Sequence, residues 1–502
     1  MLNHSKRQKK MSKVCIIGAG PGGLSAGLLL LEKGHEVHIF EKDSLVGGRS
    51  KKLTFGEYKF DSGPTFFMHP PILEEVFEKS GMKLGDHINL IPIEPLYDLY
   101  FENLKISPSS DKDTTYKLFE NIQEGSGEAY LKWYDAQQYK FNKIMPILKK
   151  PFPNVLHFLR TDVLRGSPVL HPFQSVFDRL NKFFSKEEFI HSLSFQAKYL
   201  GMSSYEAPSV FTFLSFLEHN GGLYHVEGGL NNINEKMSQL FMEKGGFLHL
   251  NTEVKNFKIK NKKIVSFETN NETFVADYFV VNADFAYAML NLVDKEHLKK
   301  FNHRKINKMK YSVSALMVYV GLDKVFDFNH HNVFFSKDYE KYLKKLTSNN
   351  NDLNDMSFYM HNPSKIDSTL APKNHSSIYL LMPVPNNDSG IDWEIHKEKM
   401  LKYMCNTIKT KTNIDISKNI KQVNFTTPMD WQVKYNVHKG AVFSLSHRFD
   451  QMLHKRPQNN FKDIDNMYLV GGGTHPGSGL PTIYQSALIT SGYFKNLKNE
   501  KK

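Results

Sequence analysis

Four glycines stand within one short stretch near the start of the chain, Gly18-Ala-Gly20-Pro-Gly22-Gly23. Their spacing is G-x-G-x-x-G, and it suits a pyrophosphate. Gly18 permits a tight turn, Gly20 lets the backbone approach phosphate oxygens, and Gly23 lets a helix pack closely on a strand. Gly22 belongs to the same loop. The helix N-terminus beyond it supplies amide donors and positive dipole. About twenty residues on, Glu41 closes an apolar run, where a carboxylate can accept from both ribose hydroxyls. A glycine pattern by itself is a weak signal. A strand, a glycine turn, a helix, a second strand and an acid in that order make a dinucleotide site.

The fingerprint does not choose between NAD and FAD, but later residues do. Val46-Gly47-Gly48-Arg49 follows Glu41 closely. Its two glycines let the chain pass beneath a cofactor, and its arginine can pair with phosphate. Asp61-Ser-Gly63-Pro64-Thr65 comes next, and a Gly-Pro turn can present backbone to a flavin ring. Near the other end, Tyr468-Leu-Val-Gly-Gly472-Gly473-Thr-His-Pro-Gly-Ser-Gly-Leu-Pro481 runs from a strand into a glycine loop. A helix is expected from about Ile483, and its dipole would stabilise negative charge on reduced flavin. Each segment alone could be an ordinary turn. Together they indicate one non-covalent FAD.

No Ser/His/Asp or Cys/His arrangement suggests a nucleophile, and no catalytic residue is assigned. The 22 histidines are scattered. His475, in the glycine loop, reads as structural. Cys15 and Cys405 cannot build a disulfide framework and show no metal-ligand spacing, so no metal is expected. Their scarcity fits a reducing compartment.

These residues need a frame to hold them. Lys13 to Ile17 reads as a buried strand, followed by a helix to about Lys33 and a strand from Val37 to Phe40. This βαβ opening implies a parallel sheet. Lys244 to Phe257, Ile264 to Phe267 and Phe274 to Val281 read as further strands. Between about residues 76 and 220 glycine thins out and helical periodicity rises. Within that region Lys149 to Phe184 mixes apolar residues with Lys150, Arg160, Arg165 and Arg179. It reads either as a helical cap packed on its own core or as a basic, apolar surface for a bilayer interface. The chain has 502 residues, 40% of them hydrophobic, and carries 65 Lys+Arg against 52 Asp+Glu. The basic surplus suits nucleic acid, an anionic membrane or an ordinary solvated surface. A mean hydropathy of -0.44 argues against a multi-spanning membrane protein. Lys6, Arg7, Lys9 and Lys10 precede an uncharged run, but the glycines inside that run argue against a signal peptide or a span.

The N-terminal fingerprint, Gly47-Gly48-Arg49 and Asp61-Ser-Gly-Pro-Thr resemble the flavin amine oxidase superfamily. The C-terminal string is similar to that of bacterial phytoene and diapophytoene desaturases. Tyr224-His-Val-Glu-Gly228-Gly229, Val281-Asn282-Ala-Asp284, Thr427-Pro428-Met-Asp430 and Arg456-Pro457 extend the resemblance over residues 12 to 495. Gly472, Ser478, Leu480 and Tyr484-Gln485 depart from the family pattern, which bears on substrate more than on flavin.

The resemblance implies an α/β fold. It would comprise a Rossmann-type FAD-binding domain of the amine oxidase kind, a mixed α+β substrate domain and a helical membrane-facing region. The expected division is a basic tail at 1–11, a flavin domain from 12–75, 225–285 and 430–497, and a substrate and membrane-facing domain from 76–224 and 286–429. Val254 would touch the adenine through its backbone. The implied reaction is desaturation of an acyclic carotenoid hydrocarbon, with hydride passing to flavin N5 and a proton leaving the adjacent carbon. A quinone or oxygen would accept the electrons. The enzyme would be cytoplasmic and peripherally attached to membrane lipid, with no nucleic-acid partner. The rival readings are a terminal carotenoid oxidase that forms an aldehyde and an amine oxidase.

Overall fold

In the computed structural model, residues 11–171, 173–270, 272–348 and 350–498 are described. The expected basic tail lies outside them except for Met11. Two sheets organise the chain. The first is five-stranded, in the order Phe247–His249, Glu36–Phe40, Lys13–Ile17, Tyr278–Val281, Met467–Leu469. All its neighbours pair in parallel. A parallel sheet is covered on both faces, so its central strands are almost wholly apolar at Val14–Ile17 and Phe279–Val281. Alternate residues of the first strand serve different cores. Val14 and Ile16 pack with helix Pro21–Glu32 and helix Leu480–Ser491. Cys15 and Ile17 pack with the antiparallel ribbon Val254–Lys260 and Lys263–Thr269. This is the two-residue period of a strand seen from both sides.

The second sheet is seven-stranded. Its order is Ile420–Thr426, Ser314–Leu322, Ser376–Val384, Phe358–His361, His331–Phe334, Asp98–Tyr100, Lys105–Ile106. Every pairing is antiparallel except that of His331–Phe334 with Asp98–Tyr100. The longest helix, Ser126–Leu148, packs against helix Phe213–Gly221 beside this sheet.

Three expected boundaries shift. The stretch from Lys244 to Phe257 holds two strands, Phe247–His249 in the parallel sheet and the start of Val254–Lys260 in the antiparallel ribbon, and Lys244 caps the preceding helix. The stretch from Phe274 to Val281 is two strands, Thr273–Phe274 and Tyr278–Val281, because the first pairs in the antiparallel ribbon and the second in the parallel sheet. The last helix starts at Leu480, one turn before Ile483. Pro481 sits in its first turn, where a missing N–H costs nothing. Gly479 makes the preceding corner at φ +107°, in the region that favours glycine.

Candidate functional site

The glycine turn, the Gly47-Gly48-Arg49 loop and the C-terminal glycine loop meet around one cavity of about 440 Å³. Gly18, Gly20, Gly22, Glu41, Gly47, Gly48, Arg49, Pro64, Thr65, Val254, Gly472, Gly473 and Ile483 all line it. Gly23 stands behind the wall. A Cβ there would lie 2.1 Å from Gly18 O, which is the close helix–strand packing expected of it. Gly22 serves packing as well, since a Cβ would come within 2.6 Å of Asn282 Oδ1. At Gly48 an added Cβ would meet only Gly20 Cα, at 3.7 Å, so the backbone there is bare toward the cavity.

Glu41 ends its strand with the carboxylate turned back on the loop. Oε2 accepts from Ala19 N (2.8 Å) and Oε1 from Asp43 N (3.0 Å). Burial pushes its pKa up, while those two amides favour the charged form. Each oxygen keeps acceptor capacity for a ribose. Arg49 Nη1 donates to Val442 O (2.6 Å). Burial lowers the Arg49 pKa, and only Asp284 opposes that shift. The Arg49 guanidinium lines the cavity and could pair with an anionic group there. Bare glycine backbone, an under-compensated arginine and a carboxylate at the ribose position fit an FAD.

The floor is held by the larger sheet. Tyr319 Oη donates to Ser62 O (2.7 Å) and Tyr379 Oη to Gly63 O. Thr65 Oγ1 and Tyr359 Oη share a hydrogen bond of 2.8 Å, and the same tyrosine oxygen meets His331 Nδ1 at 2.6 Å. Asp61 fixes the neighbouring Gly228-Gly229 turn by accepting from Leu230 N (2.9 Å) and Asn231 N (2.7 Å).

Several residues at the site escaped the sequence reading as functional positions. Asn282 Nδ2 donates to Gly18 O (3.0 Å), and the amide abuts Gly20, Gly22 and Gly471. Arg456 is fully buried, with Nη2 donating to Gly472 O (2.7 Å) and Leu445 O (3.3 Å), and Nε donating to Thr474 O (3.2 Å). Burial brings its pKa down to about 9. It is a tie for the C-terminal loop. In the sequence both stand out only as parts of the family resemblance. His475 is structural as expected, buried and bonded through Nε2 to Lys150 O (3.0 Å).

Away from the glycine loops the cavity continues between apolar and aromatic walls. Phe66, Met68, Met145, Leu148, Phe195, Phe213, Leu217, Met317 and Leu381 line it. Lys198 is a basic residue in this wall. Its amine lies 5.4 to 5.9 Å from the ring centroids of Phe195, Phe335, Tyr339 and Tyr342. Burial brings its pKa down to about 7. No sequence motif marks it.

Elsewhere, His225, His330 and His361 converge, although no metal ligand was expected. One ring nitrogen of each lies within 4.8 Å of the others.

A family model described as flavin containing amine oxidoreductase matches residues 21–492. A 4,4'-diapophytoene desaturase (4,4'-diapolycopene-forming) of a Methylomonas species is 40% identical over 95% of this chain and 94% of its own. An all-trans-zeta-carotene desaturase of Myxococcus xanthus is 32% identical over 96% and 92%. A 4,4'-diapophytoene desaturase (4,4'-diaponeurosporene-forming) of Staphylococcus haemolyticus is 31% identical over 95% and 97%. Among solved structures, an oxidoreductase from Methanosarcina mazei superposes with a TM-score of 0.65 at 16% identity, covering 95% of this chain and 99% of its own. A putrescine oxidase variant superposes at 0.64 and 12% identity, covering 96% and 97%. These last two show the fold alone.

Proposed function

For a chain that belongs to the flavin containing amine oxidoreductase family, we propose FAD-dependent desaturation of an acyclic carotenoid precursor, 4,4'-diapophytoene or phytoene. The protein is an FAD-dependent oxidoreductase. The observation that carries the substrate is the cavity, which leaves the cofactor loops and continues between apolar and aromatic walls. A hydrocarbon has no polar handle and is held only by burial of apolar surface. The desaturase relatives support the C30 polyene first.

Bound FAD would supply the two-electron oxidant, taking hydride at N5 as the adjacent carbon loses a proton. The chain's part is binding and exclusion. The glycine loops, Glu41 and Arg49 hold the nucleotide, and the N-terminus of helix Leu480–Ser491 lies at the cavity wall with Thr482 and Ile483. Met317 and Leu381, paired across two strands, present one apolar surface to the substrate. Tyr359 Oη, tied to Thr65 and His331, keeps its proton within that wall.

The enzyme collects its polyene from lipid and passes electrons to a quinone or oxygen, on the cytoplasmic side of a membrane that it touches peripherally. Among the described residues no helix is long and apolar enough to cross. Helix Ser126–Leu148 carries Met145 and Leu148 in the cavity wall and leads directly into an exposed apolar segment. There Leu156 is 67% exposed, Leu159 71% and Phe173 100%. Residues 12–75, 225–285 and 430–497 would be the flavin domain and the intervening segments the substrate domain.

Product analysis tests the reaction. FAD-loaded enzyme given defined C30 and C40 polyenes in liposomes is expected to lengthen the conjugated system, with the C30 substrate preferred. Oxidation of amines or of a terminal methyl group, with no new double bond in either polyene, would overturn it.

A further inference from the structure

We propose that His225, His330 and His361 form a binding site for one divalent cation of the zinc class. The three come from separate parts of the chain. His225 lies in strand Leu223–Val226, His361 ends strand Phe358–His361, and His330 directly precedes strand His331–Phe334. Each is at least 95% buried. One nitrogen from each falls within 4.8 Å of the other two, and His330 Nε2 stands 2.9 Å from His361 Nε2. Nitrogens around a tetrahedral zinc ion lie about 3.3 Å apart, from metal–nitrogen bonds near 2.0–2.1 Å. The cluster therefore needs side-chain shifts of up to about 1.5 Å, His225 closing and the His330–His361 pair opening slightly, and no refolding.

The surroundings suit a metal better than they suit three free imidazoles. Two nitrogens face each other and can share only one proton. His330 Nδ1 is buried and has no partner. His225 Nε2 pairs with Asp367 Oδ2 at 2.9 Å, and the carboxylate is held in turn by Gly228 N (2.8 Å) and Thr369 N (3.0 Å). A carboxylate behind a ligating histidine fixes its tautomer and strengthens its donor nitrogen. Imidazole donors with no carboxylate among them select zinc or its neighbours over calcium or magnesium.

The metal would pin the strand before the Gly228-Gly229 turn to the seven-stranded sheet. His331, next to His330, carries the Tyr359–Thr65 link to the cavity floor. The ion would thus be structural, a staple beneath the cofactor, and its presence does not depend on which polyene is oxidised.

The test is metal content. FAD-loaded protein produced in zinc-supplemented medium and exhaustively dialysed is expected to hold about one zinc per chain. A His330→Gln/His361→Gln double variant that still shows a flavin spectrum is expected to hold none. Asp367→Asn should weaken zinc retention about 10–100-fold. If the double variant does not fold, wild-type protein produced with cobalt decides instead, through visible d–d bands of a tetrahedral site. Wild-type protein that is metal-free under these conditions, a zinc content unchanged in the double variant, or cobalt protein without such bands would each overturn the proposal.

Discussion

At the scale of single residues, the glycines and Lys198 illustrate opposite kinds of legibility. Gly18, Gly47 and Gly471 have φ of +99°, +108° and +105°, a region other residues enter only with strain. That requirement is written in residue type, so spacing reveals it. Lys198 is an ordinary lysine in sequence and becomes unusual only when 92% of its surface is covered. Its pKa falls from 10.5 in the open chain to about 7 in the fold. The folded state therefore binds fewer protons than the unfolded state between those values, and stability rises with pH across that window. The destabilisation is full below pH 7 and is lost toward 10.5. Lys198→Met should raise the melting temperature of the FAD-loaded enzyme most at or below pH 7, with the gain shrinking as pH rises. A gain that stays constant over that range would contradict the burial argument.

At the scale of elements, the segment that follows helix Ser126–Leu148 divides in a way its sequence did not show. Phe152 is fully buried, while Leu156, Leu159 and Leu164 face out. Three of its cations are paired with neighbouring carboxylates. Lys149 pairs with Glu75 at 3.0 Å, and Lys150 and Arg160 pair with Asp162 at 3.0 and 2.7 Å. The apolar part should therefore dominate docking, and charge should contribute less than the basic count suggests. Leu156→Ser/Leu159→Ser is expected to lower co-sedimentation with anionic liposomes by about tenfold or more, since each leucine contributes on the order of 1.5 kcal/mol when buried. Lys149→Ser/Lys150→Ser should change it only slightly, with a weak salt dependence. Equal losses in the two variants, or none in the first, would count against docking through this face. The element boundaries were legible wherever a strand stayed within one sheet. They failed at Lys244 to Phe257 and at Phe274 to Val281, because pairing partner, not local pattern, decides where a strand is cut.

At the scale of the whole molecule, one cavity joins pieces far apart in the chain, the fingerprint, the strand at Val254 and the helix at Leu480. A ligand that binds only the folded state stabilises it by mass action, about 2.7 kcal/mol at a hundredfold excess over Kd. FAD should raise the melting temperature of the apoprotein with rising concentration. Gly20→Val should melt like the wild-type apoprotein and not respond, because its side chain would enter the cavity beside Asn282. A wild-type melting curve indifferent to FAD would argue against the site as built. The sequence alone determined the glycine loops, the parallel opening, the flavin and the family. Each of these rests on backbone freedom, short-range periodicity or an ordered string, properties a linear chain carries in full. Only the tertiary structure decided that Asn282 and Arg456 brace the glycine loops, that Lys198 is caged by aromatic rings and that His225, His330 and His361 meet. Those facts depend on which distant segments share a buried volume, and burial changes what a polar group costs and what it can bind.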